Sequence, residues 1–442
     1  MTTWRHLSGL DVGAAEGLAL DEALMAGSTR GGGGVPRTRG GGGVPRNRSF
    51  ETTLRLYTYR SAALVGRFQH LEAEVDLDAC ARTGTEVNRR PTGGGAIVMG
   101  PGQLGVAVVT SAPGAEHPRE VLARYAEGIR SGLAELGIHA TFRGKNDLEA
   151  GGRKIAGLGL YLDGQGALLF HASVLADLDV TEMLRVLRIP AAKLGDKAVA
   201  AVEERVTTVS RETGERWSGA ELAEVVATGF AKSLGLELVD GMPDEPELAL
   251  AARLTEEKYG SQAWLGERSP QDDVTATSVV KTPEGLVRCY LALYGPTIKS
   301  ALFAGDFNEV PAPLARFEAA LRWARLEEGE LSRLAAEACP DGTGLGVPTD
   351  ALVAAVLDAG SRAGHRAERT AAPVRPQGSC YFPPRDRDVP DEPRDRDVRD
   401  EPRDRDVPDE PRDRDVPDEP RDRDVPDEPR DRDVPDEEVE TT

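Results

Sequence analysis

The end of the chain limits how much of it can fold. The last 58 of its 442 residues contain six copies of a nonapeptide that starts at Arg385 with the sequence RDRDVPDEP. A repeat of alternating charges, with proline in every copy, has too little apolar surface to build a packed core. We therefore predict a disordered acidic tail over residues 366–442 and expect the fold in the residues that precede it.

The tail carries most of the net negative charge of the chain, so the remaining residues are only mildly acidic. Residues 385–442 carry 13 Arg against 26 Asp and Glu, which is −13 of the total net charge of −21 and leaves −8 elsewhere. Proteins that bind a phosphate backbone carry clustered positive charge, so we expect no nucleic-acid partner. No apolar run approaches the roughly 20 residues that span a bilayer, so we expect no membrane segment and a cytoplasmic location.

The four cysteines, Cys80, Cys289, Cys339 and Cys380, lie far apart in the sequence. They form no CxxC pair and have no histidine nearby at the spacing of metal ligands. We interpret them as reduced structural thiols and assign no metal-binding residues.

Short strand patterns and helices are interspersed along residues 1–245 without a strict βαβ alternation. Strand patterns lie at 54–59, 63–66, 85–90 and 104–109, and Asp163-Gly164-Gln165-Gly166 joins two more strands into a hairpin at 154–175. Helical periodicity predicts helices at 14–25, 118–136, 180–187 and 218–234. This pattern indicates an α+β domain with mixed or antiparallel sheets flanked by helices.

The sequence divides into three predicted domains. Residues 1–245 form the first, with a flexible Gly/Arg insertion at 30–48 in which RGGGGVPR occurs twice. The run Asp240-Gly241-Met242-Pro243-Asp244-Glu245-Pro246 is typical of a boundary. Strand patterns at 286–293 and 298–303 with helices at 312–325 and 348–363 then predict a small α+β domain at 246–365, followed by the tail.

A glycine triplet, Gly93-Gly94-Gly95, follows a strand that ends in Arg89 and Arg90. Glycines allow backbone amides to approach phosphate or carboxylate oxygens, and a guanidinium offers forked donors to the same groups. The spacing excludes a Walker A loop and a dinucleotide fingerprint. Another type of nucleotide-binding scaffold is therefore required.

Further motifs follow the triplet in a fixed order. They are Asn146-Asp147, Arg153-Lys154-Ile155-Ala156-Gly157 and, on the hairpin, Phe170-His171-Ala172-Ser173. With Gly66-Arg67-Phe68-Gln69 upstream and Ala304-Gly305-Asp306-Phe307 downstream, these stretches resemble the lipoate–protein ligase family, within the group that includes biotin ligases and octanoyltransferases. The resemblance covers about residues 8–345, and it implies a biotin/lipoate ligase-like catalytic domain with a small accessory domain.

The resemblance also implies roles for individual residues. Lys154, with Asp147 and Asn146, would be the catalytic group, its ammonium stabilising charge at the acyl carboxylate and the α-phosphate. Nucleotide or acyl adenylate would bind at Arg90, Lys154, the triplet and the backbone of Ala96, Ile97 and Val98. The remaining substrate-pocket residues would be Gly66, Arg67, Thr92, Gly157 and His171. The chain departs from the family, which often has His-Asp and then Asn where Met99-Gly100 and Gln103 stand, and His-Gly where His171-Ala172 stands.

The implied reaction is ATP-dependent activation of lipoate or octanoate, with Mg²⁺, and transfer of the acyl group to a lysine of a carrier domain. The carriers would be E2 subunits of 2-oxoacid dehydrogenases or the glycine cleavage H protein. One alternative is an octanoyltransferase that works without ATP through a cysteine thioester. It would need Cys80, because no other cysteine precedes Cys289. A non-catalytic ligand-binding protein is the other alternative.

Overall fold

The structure is a computed structural model, and it describes residues 2–28, 52–112, 117–143, 146–163, 165–188, 198–282, 285–307, 312–339 and 347–369. The predicted Gly/Arg insertion at 30–48 and the repeats from Arg385 lie outside the described residues.

The strands and helices of this part of the chain follow in order. The strands are β1 Thr2–Val12, β2 Thr52–Tyr59, β3 Ala62–Val65, β4 Glu86–Arg89, β5 Ile97–Met99, β6 Gln103–Ser111, β7 Ala140–Arg143, β8 Asp147–Ala150, β9 Arg153–Leu162, β10 Ala167–Leu175, β11 Leu236–Asp240, β12 Ala276–Thr282, β13 Gly285–Tyr294 and β14 Thr297–Gly305. The helices are α1 Ala14–Ser28, α2 Leu71–Glu74, α3 Leu77–Thr83, α4 Pro118–Glu135, α5 Val180–Val186, α6 Ala198–Glu203, α7 Val209–Thr213, α8 Gly219–Leu234, α9 Glu245–Leu254, a π-helical turn Thr255–Tyr259, α10 Gln262–Leu265, α11 Ala312–Ala320, α12 Glu328–Ala338 and α13 Thr349–Arg369.

Eight strands form the large sheet, in the order β11-β1-β2-β6-β10-β9-β8-β7. Strand β1 pairs in parallel with both β2 and β11, and the other neighbours are antiparallel. The mixed sheet and its flanking helices confirm the α+β fold class expected from the sequence. The hairpin of β9 and β10 lies within this sheet and brings the Lys154 strand next to the His171 strand.

The two faces of the large sheet pack against different helices, because successive side chains of a strand point to opposite faces. Leu56, Val106 and Phe170 belong to one core with residues of α4 and α8. On the other face, Ala107 and Leu169 pack with residues of α1. His171 and Ser173 alternate with Phe170 along β10, so they belong to the α1 face.

A second, small sheet carries the glycine triplet. Strand β3 lies at its centre, with β4 parallel on one side and β5 antiparallel on the other. The loop 90–96 therefore runs from the end of β4 across to the start of β5. This crossing places the three glycines at the rim of the small sheet.

Residues 276–369, called here the C-terminal region, form an antiparallel sheet in the order β12-β13-β14 together with α11, α12 and α13. Val287, Cys289 and Phe303 share a core with residues of these helices. The division of the chain at residue 245 stays a prediction. Just beyond that point, Glu247 of α9 forms an ion pair with Arg5 of β1 at 2.6 Å.

Most of the predicted elements occur close to their expected bounds. The helix expected at 118–136 is α4, and Gly137 after it has the left-handed backbone (φ 77°) of a helix stop. The helix expected at 312–325 ends earlier, at Ala320, and β1 was not anticipated. Within the described residues, no helix is long and apolar enough to cross a membrane.

Candidate functional site

Lys154 and Asp147 lie on the two strands of a short hairpin. Strands β8 and β9 are joined by Gly151 and Gly152, whose φ angles of 57° and 77° suit a tight turn. The Lys154 Nζ atom lies 2.7 Å from Asp147 Oδ1, and about a third of each side chain is exposed. The two residues expected to work together thus form an ion pair that solvent can reach.

Gly157 is the reason why Lys154 can reach Asp147. In the sheet, Asp147 lies opposite Gly157, and Ser173 lies opposite Gly157 on its other side. A Cβ atom added at Gly157 would lie 3.0 Å from Lys154 Nζ and 3.6 Å from Ser173 Oγ. The lysine side chain therefore runs along its own strand, over the space that glycine leaves open, and its ammonium lies above Gly157 beside Asp147 and close to Ser173.

The backbone of Lys154 is held by a separate segment of the chain. Its N–H donates to Arg205 O and its carbonyl accepts from Thr207 N, both at 2.9 Å. Asn146 anchors the facing strand, because its Nδ2 donates to Leu158 O at 3.1 Å. Asn146 thus fixes the β8–β9 pair through backbone contacts, while Asp147 supplies the contact with the ammonium.

The glycine triplet folds around the side chain of Arg90. The guanidinium donates to the carbonyls of Leu64, Gly93 and Gly95 at 2.7–3.1 Å and to Thr92 Oγ1 at 3.2 Å. Burial lowers the pKa of Arg90 to about 10. The expected role of Arg90 as a nucleotide ligand stays a prediction. What the structure shows is a buried cation that shapes the loop.

Other predicted pocket residues surround the triplet. Gly66 lies directly beneath it, since a Cβ at Gly66 would come within 2.0 Å of Gly94 O. Thr92 is buried, and its carbonyl accepts from Arg67 N at 2.9 Å. The guanidinium of Arg67 lies over the Trp264 ring at 4.2 Å and pairs with Glu267 at 2.6 Å. Arg67 thus contacts the segment that follows α9.

The predicted nucleotide-binding backbone at Ala96, Ile97 and Val98 leads from the triplet into β5. Ile97 and Val98 pair with Leu64 and Ala63 of β3. The side chains of all three are partly buried, and those of Ala96 and Val98 pack against the core that contains Cys80. This pairing fixes the end of the loop on the small sheet.

His171 lies two residue pairs along the sheet from the pair of Gly157 and Ser173 at the lysine site. It is opposite Gly159 on β9, and a Cβ at Gly159 would lie 2.2 Å from its Nε2. Burial, with a smaller contribution from the nearby charge of Arg90, lowers the pKa of His171 to about 3. His171 is therefore neutral at physiological pH.

Other polar residues on the α1 face were not predicted from the sequence. Ser173 was not singled out, although its position two residues after His171 on a strand places both on one face. The buried pair of Asp21 and Arg55, 2.5 Å apart on the α1 face, was missed as well. Only the fold brings residues 21 and 55 together.

The described cysteines lie in hydrophobic cores. Cys80 packs in a core with residues of β3 and α5, and burial raises the pKa of its thiol. Cys289 and Cys339 lie in the core of the C-terminal region. Among the residues that the structure describes, no group of three or more His, Cys, Asp or Glu could hold a metal ion. Cys380 lies outside them.

Comparison with known proteins finds relatives of two kinds, octanoyltransferases and lipoate–protein ligases. A family model described as the lipoyl protein ligase A/B catalytic domain matches residues 14–231. The chain is 32% identical over 289 residues to octanoyltransferase LipM of Symbiobacterium thermophilum, which covers 60% of this chain and 98% of that protein. It is 30% identical over 221 residues to lipoate-protein ligase A subunit 1 of Thermoplasma acidophilum, which covers 48% of this chain and 83% of that protein.

Solved structures of related proteins are similar to this chain in fold. The bipartite lipoate protein ligase of T. acidophilum superposes with a TM-score of 0.51 and 27% identity, covering 62% of this chain and all of that chain. LipL1 of P. falciparum, solved in complex with lipoate, has a TM-score of 0.53 over 75% of this chain and 93% of that chain; at 14% identity it shows the fold alone. The fold is that of the biotin/lipoate ligase superfamily. Within it, the chain belongs to the lipoate–protein ligase family, as an enzyme with the lipoyl protein ligase A/B catalytic domain.

Proposed function

We propose that this enzyme activates lipoate, or octanoate, with ATP and transfers the acyl group to a lysine of a carrier domain. The carriers are the lipoyl domains of E2 subunits or the glycine cleavage H protein. The observation that carries the proposal is the Lys154 ammonium above Gly157, in contact with Asp147. A partly exposed lysine side chain on the face of a sheet suits contact with an acyl carboxylate and a phosphate.

The residues present fit these substrates. A Cβ at Gly95 would meet no atom closer than 3.9 Å, so this glycine borders space that part of a bound nucleotide can enter. Asp147 would supply one carboxylate for Mg²⁺, which commonly takes its other ligands from phosphate oxygens and water. The neutral ring of His171 lies on the same face and suits the wall of a channel for an uncharged acyl chain.

Lys154 would act in both halves of the reaction. Its ammonium would stabilise the negative charge on the acyl carboxylate and the α-phosphate while pyrophosphate leaves. It would then stabilise the charge that develops when the carrier lysine attacks the activated carbonyl. Asp147 would hold the ammonium in place, and the hydrogen bonds from Arg205 and Thr207 would fix the strand beneath it.

Acyl transfer without ATP is the second candidate function. The similarity to LipM octanoyltransferases over almost their whole length favours it. A thioester route needs a reactive thiolate, and burial raises a thiol pKa and disfavours that form. Cys80 is only 2% exposed and lies in a core, so its position favours the ATP-dependent route.

One experiment separates the two routes. A purified lipoyl domain is incubated with the enzyme and either Mg²⁺-ATP plus lipoate or octanoyl-acyl-carrier protein without ATP, and its mass is measured. A lipoyl mass shift that requires ATP and disappears in Lys154→Ala is the expected result. A shift only with the octanoyl donor would support the transferase instead, and no shift with either donor would contradict both.

A further inference from the structure

The C-terminal region touches the glycine triplet through the segment at the end of β14. Gly94 N donates to Phe307 O at 2.8 Å, and Gly305 N donates to Phe68 O at 2.9 Å. Between these two backbone contacts, Gln69 Nε2 donates to Asp306 Oδ1 at 2.8 Å. Three consecutive residues of the C-terminal region thus bind the triplet and the loop beneath it.

The Gln69 side chain connects Asp306 to the base of the triplet. Gln69 is fully buried, and its Oε1 accepts from Gly66 N at 2.8 Å while its Nε2 binds Asp306. Gly66 is the residue on which Gly94 rests, with room for hydrogen but not for a methyl group. A chain of contacts therefore runs from Asp306 through Gln69 and Gly66 to the middle glycine.

Nearby contacts attach the C-terminal region firmly at this place. Phe68 packs against the core of that region. Arg288 of β13 forms an ion pair with Glu74 of α2 at 2.9 Å, and both side chains are nearly buried. Asp306 also holds its own strand pair, since its N–H donates to Leu286 O at 3.1 Å.

We propose that Asp306 is a positioning residue for the glycine triplet. It orients Gln69, which fixes Gly66 beneath the triplet, and it places the neighbouring Phe307 carbonyl where it binds the Gly94 amide. The triplet therefore takes its shape from Arg90 on the inside and from the C-terminal region on the outside. This inference adds a positioning residue to the proposed function. It rests on the proposed function in one respect only, that the triplet holds the nucleotide.

The charge of Asp306 supports a positioning role over direct binding of the nucleotide. A carboxylate repels phosphate, whereas its hydrogen bond with Gln69 orders the loop that we propose holds the nucleotide. The contact is polar and largely enclosed. Its loss leaves the buried Nε2 of Gln69 without its partner, which disfavours the native position of that side chain.

The test compares Asp306→Ala, Asp306→Asn and Gln69→Ala with the wild-type chain. Asparagine keeps an oxygen that can accept from Gln69, so it is the conservative variant. Asp358→Ala is the matched control, because it removes an aspartate of the C-terminal region whose partner, Arg362, lies one helical turn away on the surface. Hydrogen exchange of the peptide spanning residues 92–99 is measured, together with KM for ATP and kcat in acyl-adenylate formation.

We expect exchange in residues 92–99 to rise at least tenfold in Asp306→Ala and in Gln69→Ala. A variant that combines these two substitutions should show a similar value, because both break the same connection. KM for ATP should rise about tenfold while kcat changes less than threefold. Asp306→Asn and Asp358→Ala should stay within about threefold of wild type in every measurement. A merely structural role would lower the melting temperature without this split between KM and kcat.

Unchanged exchange at residues 92–99 in Asp306→Ala would overturn the inference, as would an Asp306→Asn variant that behaves like Asp306→Ala. The exchange measurement needs neither ATP nor a carrier. An enzyme that shows the exchange effect but does not use ATP would therefore contradict the proposed function alone.

Discussion

Gly157→Ala tests whether the position of the Lys154 ammonium, and not only its presence, supports activity. The new methyl group would lie 3.0 Å from Nζ and 3.2 Å from Cε of Lys154. Comfortable contacts of this kind are about 3.5–4.0 Å, so the ammonium must retreat by roughly half an ångström or more. Because the obstructing atoms are the end of a flexible side chain, the backbone can stay in place.

The expected effects on stability and activity therefore differ. The ion pair with Asp147 is partly exposed and contributes at most about 1 kcal/mol, so the free energy of unfolding should fall by no more than that. Loss of a well-placed charged hydrogen bond in the reaction corresponds to about 1.5–3 kcal/mol, or roughly 10–100-fold in kcat/KM. Urea denaturation and the carrier-acylation assay measure the two quantities.

Gly329→Ala is the matched control, because a Cβ at Gly329 would meet no atom within 4 Å. It should leave activity unchanged and alter stability by less than about 1 kcal/mol. A Gly157→Ala variant that keeps wild-type kcat/KM would show that activity does not require the space that Gly157 leaves for the Lys154 ammonium. If it unfolds the protein, the lysine is not as free to move as the contacts indicate.

Three further predictions concern the thiol, the buried ion pair and the histidine. Cys80→Ala should keep carrier acylation within about twofold, because its thiol lies in a core; a tenfold loss in a folded variant would revive the thioester route. Asp21→Ala should cost about 3–5 kcal/mol in urea denaturation, because Arg55 stays buried without its counter-ion, and a loss below 1 kcal/mol would refute this. The pKa of His171 is about 3 in the folded protein and near its ordinary 6.5 in the unfolded chain. The unfolded chain therefore binds the proton more readily, and the free energy of unfolding should fall as the pH drops from 6.5 towards 3, by at most about 1.4 kcal/mol per pH unit. His171→Gln should flatten this dependence, and parallel curves for variant and wild type would argue against it.

The sequence predicted the fold where local patterns decide it. The helix from Pro118 and the β9–β10 hairpin have clear periodicity and end signals, and both appear where expected. Strand β1 was not anticipated, because it pairs in parallel with β2 and β11, and β11 lies more than 200 residues further along the chain. Partners so distant leave no local signal in the sequence.

The site was predictable in composition but not in geometry. Lys154, Asp147 and Gly157 could be selected from the motifs, and the structure brings them together. Their alignment also depends on an irregularity in the β8–β9 pairing near Leu148, which the sequence does not reveal. Arg90 was predicted as a nucleotide ligand because guanidinium groups bind phosphate well. In the structure its guanidinium donates hydrogen bonds to backbone carbonyls of the protein, because it is buried within this loop.

The buried guanidinium of Arg90 within the glycine triplet affects the thermodynamics of ligand binding. A loop of three glycines loses more conformational entropy than any other sequence when a ligand orders it. Here Arg90 already fastens the carbonyls of Gly93 and Gly95, so this ordering accompanies folding and need not accompany binding. Because a preorganised loop is already ordered, little of the ligand's binding free energy is lost in immobilising it. Adenylate binding should therefore show a small entropic penalty in calorimetry, and Arg90→Met should enlarge it.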